Sequence, residues 1–158
     1  MEVEMRIRGL MMDPMSSTPI IILKEANGSS LLPIWVGAFE ANAIASEIEK
    51  TLSPRPMTHD LLKNLLWSLG ATIRKVVITE IVNNTFYAVL EISHGDSISI
   101  IDARPSDAIA LALRADSPIY VEQEVLNNSG AKMSELEQSA EDTEWSDDLL
   151  DDTSDYKM

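Results

Sequence analysis

Two carboxylates and a guanidinium stand within six positions of one another in Asp102-Ala103-Arg104-Pro105-Ser106-Asp107. Carboxylates so placed suit a hard cation or the activation of water, and an arginine stiffened by a neighbouring proline suits a phosphate or carboxylate. A second group, Pro54-Arg55-Pro56 followed by His59-Asp60, brings another pre-placed arginine, Arg55, and an imidazole beside an acid. His59 there is placed to assist proton transfer, although a histidine and an acid at a helix start also serve as a cap. Glu40, Asp60, Asp102 and Asp107 are candidate oxygen ligands for Mg²⁺ or Mn²⁺. With no cysteine and only His59 and His94 as histidines, a zinc site and a thiolate nucleophile are disfavoured. Arg104 pairing the two acids would equally make a structural cluster, and the residues alone leave both readings open.

The elements that must position these groups follow from periodicity. Ser97 to Ile101 reads as a strand running straight into a helix, with Pro105 in its first turn. Asp107 then falls where the helix dipole favours a carboxylate. Ala108 to Leu113 is apolar on every side, as in a helix covered all round. Alternation from Ile98 and Ile100 predicts that Asp102 shares their inward face. Thr58 is a candidate N-cap for a helix ending at Gly70, with Leu61, Leu62, Leu65, Leu66 and Leu69 as an apolar stripe and Trp67 opposite.

Upstream, Val3 to Leu10 reads as a strand, Pro19 to Leu23 as a strand buried on both faces, and Asn27-Gly28 as a hairpin turn into Leu31 to Val36. Pro33 places that return strand at an edge or bulge. A helix over Glu40 to Lys50 follows. Ile73 to Val82, Phe86 to Ser93 and Ser97 to Ile101 then repeat the order strand, strand, strand, helix. The fold class predicted is a single α+β domain over residues 1–127, a duplicated β-β-β-α unit with mixed or antiparallel sheet and packed helices. Residues 128–158 are read as an acidic, disordered tail, because 131–158 hold ten acids against Lys132 and Lys157 and few apolar anchors.

That tail carries more than half of the formal net charge of −14, so the rest of the chain is mildly acidic. It lacks the broad basic face of a protein that grips nucleic acid through phosphates. No apolar run is long enough for a membrane span, and Glu2, Glu4, Arg6 and Arg8 do not suit a signal peptide, so a cytoplasmic location is expected. Phosphate loop, dinucleotide-binding glycines and Ser-His-Asp order are absent, and no organic cofactor is expected. Pro33 at an edge and an outward Trp67 predict a homo-oligomer, most simply a dimer.

Three segments resemble the bifunctional nuclease family in order and spacing. They are Leu32-Pro33-Ile34-Trp35-Val36-Gly37 with Glu40-Ala41; Pro54-Arg55-Pro56-Met57-Thr58-His59-Asp60-Leu61-Leu62; and Phe86-Tyr87-Ala88 followed by Ile101-Asp102-Ala103-Arg104-Pro105-Ser106-Asp107-Ala108. One departure is Asn83-Asn84-Thr85, where the family tends to have Asp-Gly-Thr. The resemblance implies a duplicated α+β domain that hydrolyses DNA and RNA. Under it, Asp102, Asp107 and His59 become the candidate catalytic residues, and Arg104 and Arg55 the candidate phosphate ligands. Glu40, Asp60, Asp102 and Asp107 become the candidate cation ligands, and nucleic acid the partner. The rival is a non-catalytic regulatory domain in which the same cluster binds a small anion.

Overall fold

β1 (Glu2–Met12) turns Val3, Met5 and Ile7 to one face and Glu2, Glu4 and Arg6 to the other, the alternation of a strand with one face on a core. A register shift between Ile7 and Gly9 against β2 (Pro19–Glu25) returns Leu10 to the core side. Ile20, Ile21 and Leu23 of β2 are fully buried, so both of its faces are covered, as its β-branched run predicts. The Asn27-Gly28 turn leads into β3 (Leu31–Trp35), which is a sheet edge and accommodates Pro33. The structure, a computed structural model, describes residues 1–129; residues 130–158, on which the expected acidic tail falls, lie outside the described residues.

α1 (Ala38–Ile48) buries Ala41 and Ile44. After the Pro-Arg-Pro connector comes α2 (Thr58–Ser68), whose N-cap is Met57 rather than Thr58. The Asp60 carboxylate, at the third helical position, reaches back to accept the Met57 N–H at 2.9 Å and so satisfies an otherwise orphaned donor. β4 (Ala71–Val82) and β5 (Thr85–His94) form a hairpin closed by Asn83 and Asn84, with φ of 51° and 63°. Positive φ at both loop residues is what a type I′ turn demands, and asparagine tolerates it, so the departure from Asp-Gly leaves the turn intact. β6 (Ser97–Ala103), α3 (Pro105–Ala115) and β7 (Ile119–Glu122) follow, and residues 123–129 are helical (α4).

The seven strands form one sheet in the order β3-β2-β1-β7-β4-β5-β6, antiparallel throughout except where β4 meets β7. This is the α+β domain with a mixed sheet that the sequence predicts. β1-β2-β3 and β4-β5-β6 are each an antiparallel meander, followed in the chain by α1 and α3 respectively, and β7 lies between the two meanders. α3 packs on β4 and β5 and touches both other helices, α1, which lies over β2, and α2, which lies against β4. The core lies between these helices and the sheet, and α3 contributes Ala108, Ile109, Ala110, Leu111 and Ala112 to it.

Two sequence expectations fail here, one through strand register and one through helix placement. In the β5–β6 ladder Ile92 pairs with Ser99, Leu90 with Ile101 and Ala88 with Ala103, and Ala88, Leu90 and Ile92 are core residues. Ser99, Ile101 and Ala103 therefore share the core side, and Ile98, Ile100 and Asp102 point to the outer face. The alternation is right but its phase is opposite, and Asp102 is exposed rather than inward. Of the α2 stripe only Leu66 packs on the core, while Leu61, Leu62, Leu65 and Leu69 are 40–71% exposed.

Candidate active site

The first turns of three helices meet at one place. Arg104 is the N-cap of α3, Pro105 opens it, and Asp107 sits in its first turn. Asp107 Oδ2 accepts from Arg104 Nε at 2.8 Å, and Arg104 Nη1 donates to Oε1 of Glu40, in the first turn of α1, at 3.0 Å. His59 of α2 completes the group, with Nε2 2.9 Å from Asp107 Oδ1. A Cβ at Gly37 would run into the Glu40 carboxylate, so the glycine before α1 leaves that side chain its place. Helix N-termini carry partial positive charge, so their convergence favours anions, whether side-chain or ligand.

Burial alone would raise the Asp107 carboxyl, but the hydrogen bonds from Arg104 and His59 outweigh it and hold the group below its usual range. The Asp107 hydrogen bond, with help from Glu40, pushes the Arg104 guanidinium further up. An ionised carboxylate only accepts, so the His59 Nε2 facing it donates. Neutral His59 then carries its lone pair on Nδ1. No buried side-chain nitrogen or oxygen among the described residues lacks a hydrogen-bond partner. His59 Nδ1 has no protein partner, so it reaches solvent. The side chains of His59 and Arg104 are 12% and 64% exposed, which places the arginine outermost, over a half-buried Asp–His pair.

The remaining candidates lie elsewhere. Asp102 is on the outer sheet face, and Arg55 is exposed on the connector. Asp60 belongs to a neighbouring staple that the sequence reading missed, centred on Arg114. Arg114 Nε donates to Asp60 Oδ1 at 2.8 Å, Nη1 to Ala110 O at 3.0 Å and Nη2 to Ala43 O at 3.0 Å, with its side chain 4% exposed. One guanidinium thus ties α1, α2 and α3 together beneath the cluster. Burial would raise Asp60, but the Met57 N–H and Arg114 hold it low. The available signal was a single arginine in the last turn of an otherwise apolar helix.

The four carboxylates considered for a cation do not form a ligand set. Arg104 bridges Glu40 and Asp107, Arg114 holds Asp60, and Asp102 is apart. Among the described residues no three His, Asp or Glu side chains are grouped to hold a metal ion.

The family model of the bifunctional nuclease domain matches residues 21–134, most of the chain. The chain belongs to the bifunctional nuclease domain family. An uncharacterised protein of Mycobacterium tuberculosis is 43% identical to it over 127 residues, covering 80% of this chain and 76% of the relative. Bifunctional nuclease 1 of Oryza sativa subsp. indica is 32% identical over 117 residues, covering 72% of this chain and 35% of that protein. Bifunctional nuclease 2 of Arabidopsis thaliana is 30% identical over 134 residues, covering 82% of this chain and 41% of that protein. This bifunctional nuclease domain therefore corresponds to less than half of the plant proteins' length. Glu40, His59, Arg104 and Asp107, with the Arg114 staple, all fall inside the matched span. No helix among the described residues is long and apolar enough to cross a membrane.

Proposed function

We propose that this domain is a phosphodiesterase acting on DNA or RNA, with His59, Asp107 and Arg104 as its working groups. The observation that carries the reading is the Asp107–His59 pair beneath an exposed Arg104, at the meeting point of three helix N-termini. Arg104, with the helix ends behind it, holds the scissile phosphate. His59 Nδ1 takes a proton from the attacking water as its oxygen bonds to phosphorus. The bond to the leaving sugar oxygen breaks, that oxygen takes a proton from solvent water, and the His59 imidazolium returns its proton to solvent. Asp107 keeps the ring in the productive tautomer and stabilises the imidazolium that forms.

One observation favours a second reading. Every charge in the cluster already has a partner, and residues 1–129 hold sixteen acids against ten lysines and arginines, which suits a regulatory domain that takes up a small anion or a group that merely holds the helices. The test is hydrolysis of single- and double-stranded DNA and RNA by the purified chain, with EDTA and with added Mg²⁺ or Mn²⁺. His59→Gln and Arg104→Gln are purified and melted in parallel. The nuclease reading expects activity to fall by about 10²-fold or more in His59→Gln, the scale of general acid–base catalysis, with the fold retained. A wild-type chain that cleaves none of the substrates in any buffer, or a His59→Gln chain as active as wild type, overturns it in favour of the regulatory domain.

A further inference from the structure

The chain has two phenylalanines, and the fold treats them in opposite ways. Phe86, in β5, packs against the core. Phe39, in the first turn of α1, is 90% exposed, more than any other large apolar side chain in a helix or strand of the described residues. Met1 and Leu52 are as exposed, but one is the first residue and the other lies in the connector after α1. An aromatic ring held in water forgoes the stabilisation of burial. Here α1 turns Ala41 and Ile44 to the core and leaves the ring outside.

The position of the ring gives it a use. Glu40, the next residue, accepts from Arg104 Nη1 at 3.0 Å, and the Ala43 carbonyl accepts from Arg114 Nη2 at 3.0 Å. Both arginines belong to the Arg104–α3 segment, so the Glu40–Ala43 flank of α1 is the one that faces α3. At about 100° per residue, Ala43 stands between Glu40 and Phe39 around the helix. Phe39 therefore lies on the outer border of that same flank. Helical side chains lean toward the N-terminus, so the ring rises at the end of α1 where Glu40 holds the exposed guanidinium of Arg104.

We infer that Phe39 positions the substrate, its ring stacking on the base of the nucleotide whose phosphate Arg104 holds. The inference rests on the nuclease reading above. A phosphate and its base are one sugar apart, a span like the about 5–6 Å between neighbouring side chains on a helix surface. A base inside a duplex is covered on both faces, so the substrate this ring selects is a single strand, a loop or an unpaired end. The charge balance points the same way. In an acidic domain phosphate contacts supply little affinity, and stacking on a neutral ring supplies it without a basic face and for any base.

The test compares wild type with Phe39→Ala, Phe39→Leu and Phe39→Trp on two short oligomers of equal length, a single-stranded oligodeoxyadenylate and a deoxyribose-phosphate chain with no bases. Fluorescence anisotropy on phosphorothioate-linked versions gives Kd, and hydrolysis of the phosphodiesters gives kcat and KM. On the strand with bases, Phe39→Ala is expected to raise Kd and KM about 5-fold or more, the worth of one base–aromatic stack. Its kcat should change little, as when binding is lost equally from ground and transition states. Phe39→Trp should restore both constants. Phe39→Leu, apolar but without a π face, should fall with Phe39→Ala, and it carries the test if the alanine variant loses its helical signal. On the base-free chain the four proteins are expected to bind alike. Equal Kd and KM for wild type, Phe39→Ala and Phe39→Leu on the strand with bases overturn the inference, and so does a loss of the same size on the base-free chain. Either result leaves the nuclease reading standing when wild type cleaves. A wild type that cleaves neither oligomer in any buffer overturns that reading, and the inference with it.

Discussion

His59 Nε2 lies 2.9 Å from Asp107 Oδ1 across 48 positions of chain, where the first turn of α2 meets the first turn of α3. Neither residue has reason to be near the other until both helices pack on the same sheet. The pair separates a structural role from a catalytic one. Asp107→Asn keeps the shape and leaves an amide oxygen to accept the Nε2 proton, but removes the charge that steadies an imidazolium. Activity is expected to fall about 10²-fold or more, while stability shifts by about 1 kcal/mol or less, as for a half-exposed pair. Nuclease assays and urea melts on one preparation check this; stability lost with activity intact would remove His59 and Asp107 from the catalytic set.

Arg104 and Asp102 were adjacent candidates, and the structure predicts different behaviour for them. Arg104→Gln is expected to cost about 1 kcal/mol or less, because its guanidinium is 64% exposed, and not the roughly 3–5 kcal/mol of a broken buried pair. Activity, however, should drop with the loss of the proposed phosphate ligand. Asp102→Asn, on the outer face, is expected to change stability by no more than about 0.5 kcal/mol and activity not at all. A strong loss of activity in Asp102→Asn would mean that the site lies elsewhere.

Asp107 and Asp60 make acid stability a property of the helix junction. Their folded-state carboxyls are held below the usual range against the pull of burial, Asp107 by Arg104 and His59, Asp60 by the Met57 N–H and Arg114. A carboxyl depressed on folding stabilises the fold while ionised. The contribution is full above the unfolded value of about 4, and is lost as pH falls through the lower folded value. Melting temperature should therefore drop below about pH 4, and the drop should be shallower in Asp60→Asn/Asp107→Asn. Superimposable acid limbs for the two proteins would show that other carboxylates govern it.

Arg114 is expected to be the most sensitive polar position in the domain. Arg114→Ala removes three hydrogen bonds from a buried guanidinium and uncovers the Ala43 and Ala110 carbonyls. The expected loss is about 3 kcal/mol, tempered because Asp60 is partly exposed and regains water. For a domain of this size that lowers the melting temperature by about 6–12 °C. Arg114→Met, which keeps the apolar stem, should recover part of the loss. Calorimetry on the three proteins decides it, and a wild-type melt for Arg114→Ala would show that packing alone holds the helices.

Much of the domain was legible from local chemistry. Alternation along Val3 to Ile7, the β-branched run Pro19 to Leu23, Asn27-Gly28, the Pro105 start and the Gly70 stop each act within a few residues, and each element formed where they predicted. Family membership was legible in the same way, because it is carried by short ordered segments. The packing order of those elements was decided only in three dimensions. Period two says that Ile98, Ile100 and Asp102 share a face; only the pairing of β6 with Leu90 and Ile92 says which face, and it is the outer one. The leucine stripe of α2 looks like a core stripe from any sequence window, yet α3 takes the central place above the sheet and only Leu66 of that stripe packs on the core. The site followed the same rule: Asp107 and Arg104 are neighbours in sequence, but Glu40 and His59 join them because three helices share one layer, and such long-range contacts leave no local periodic mark.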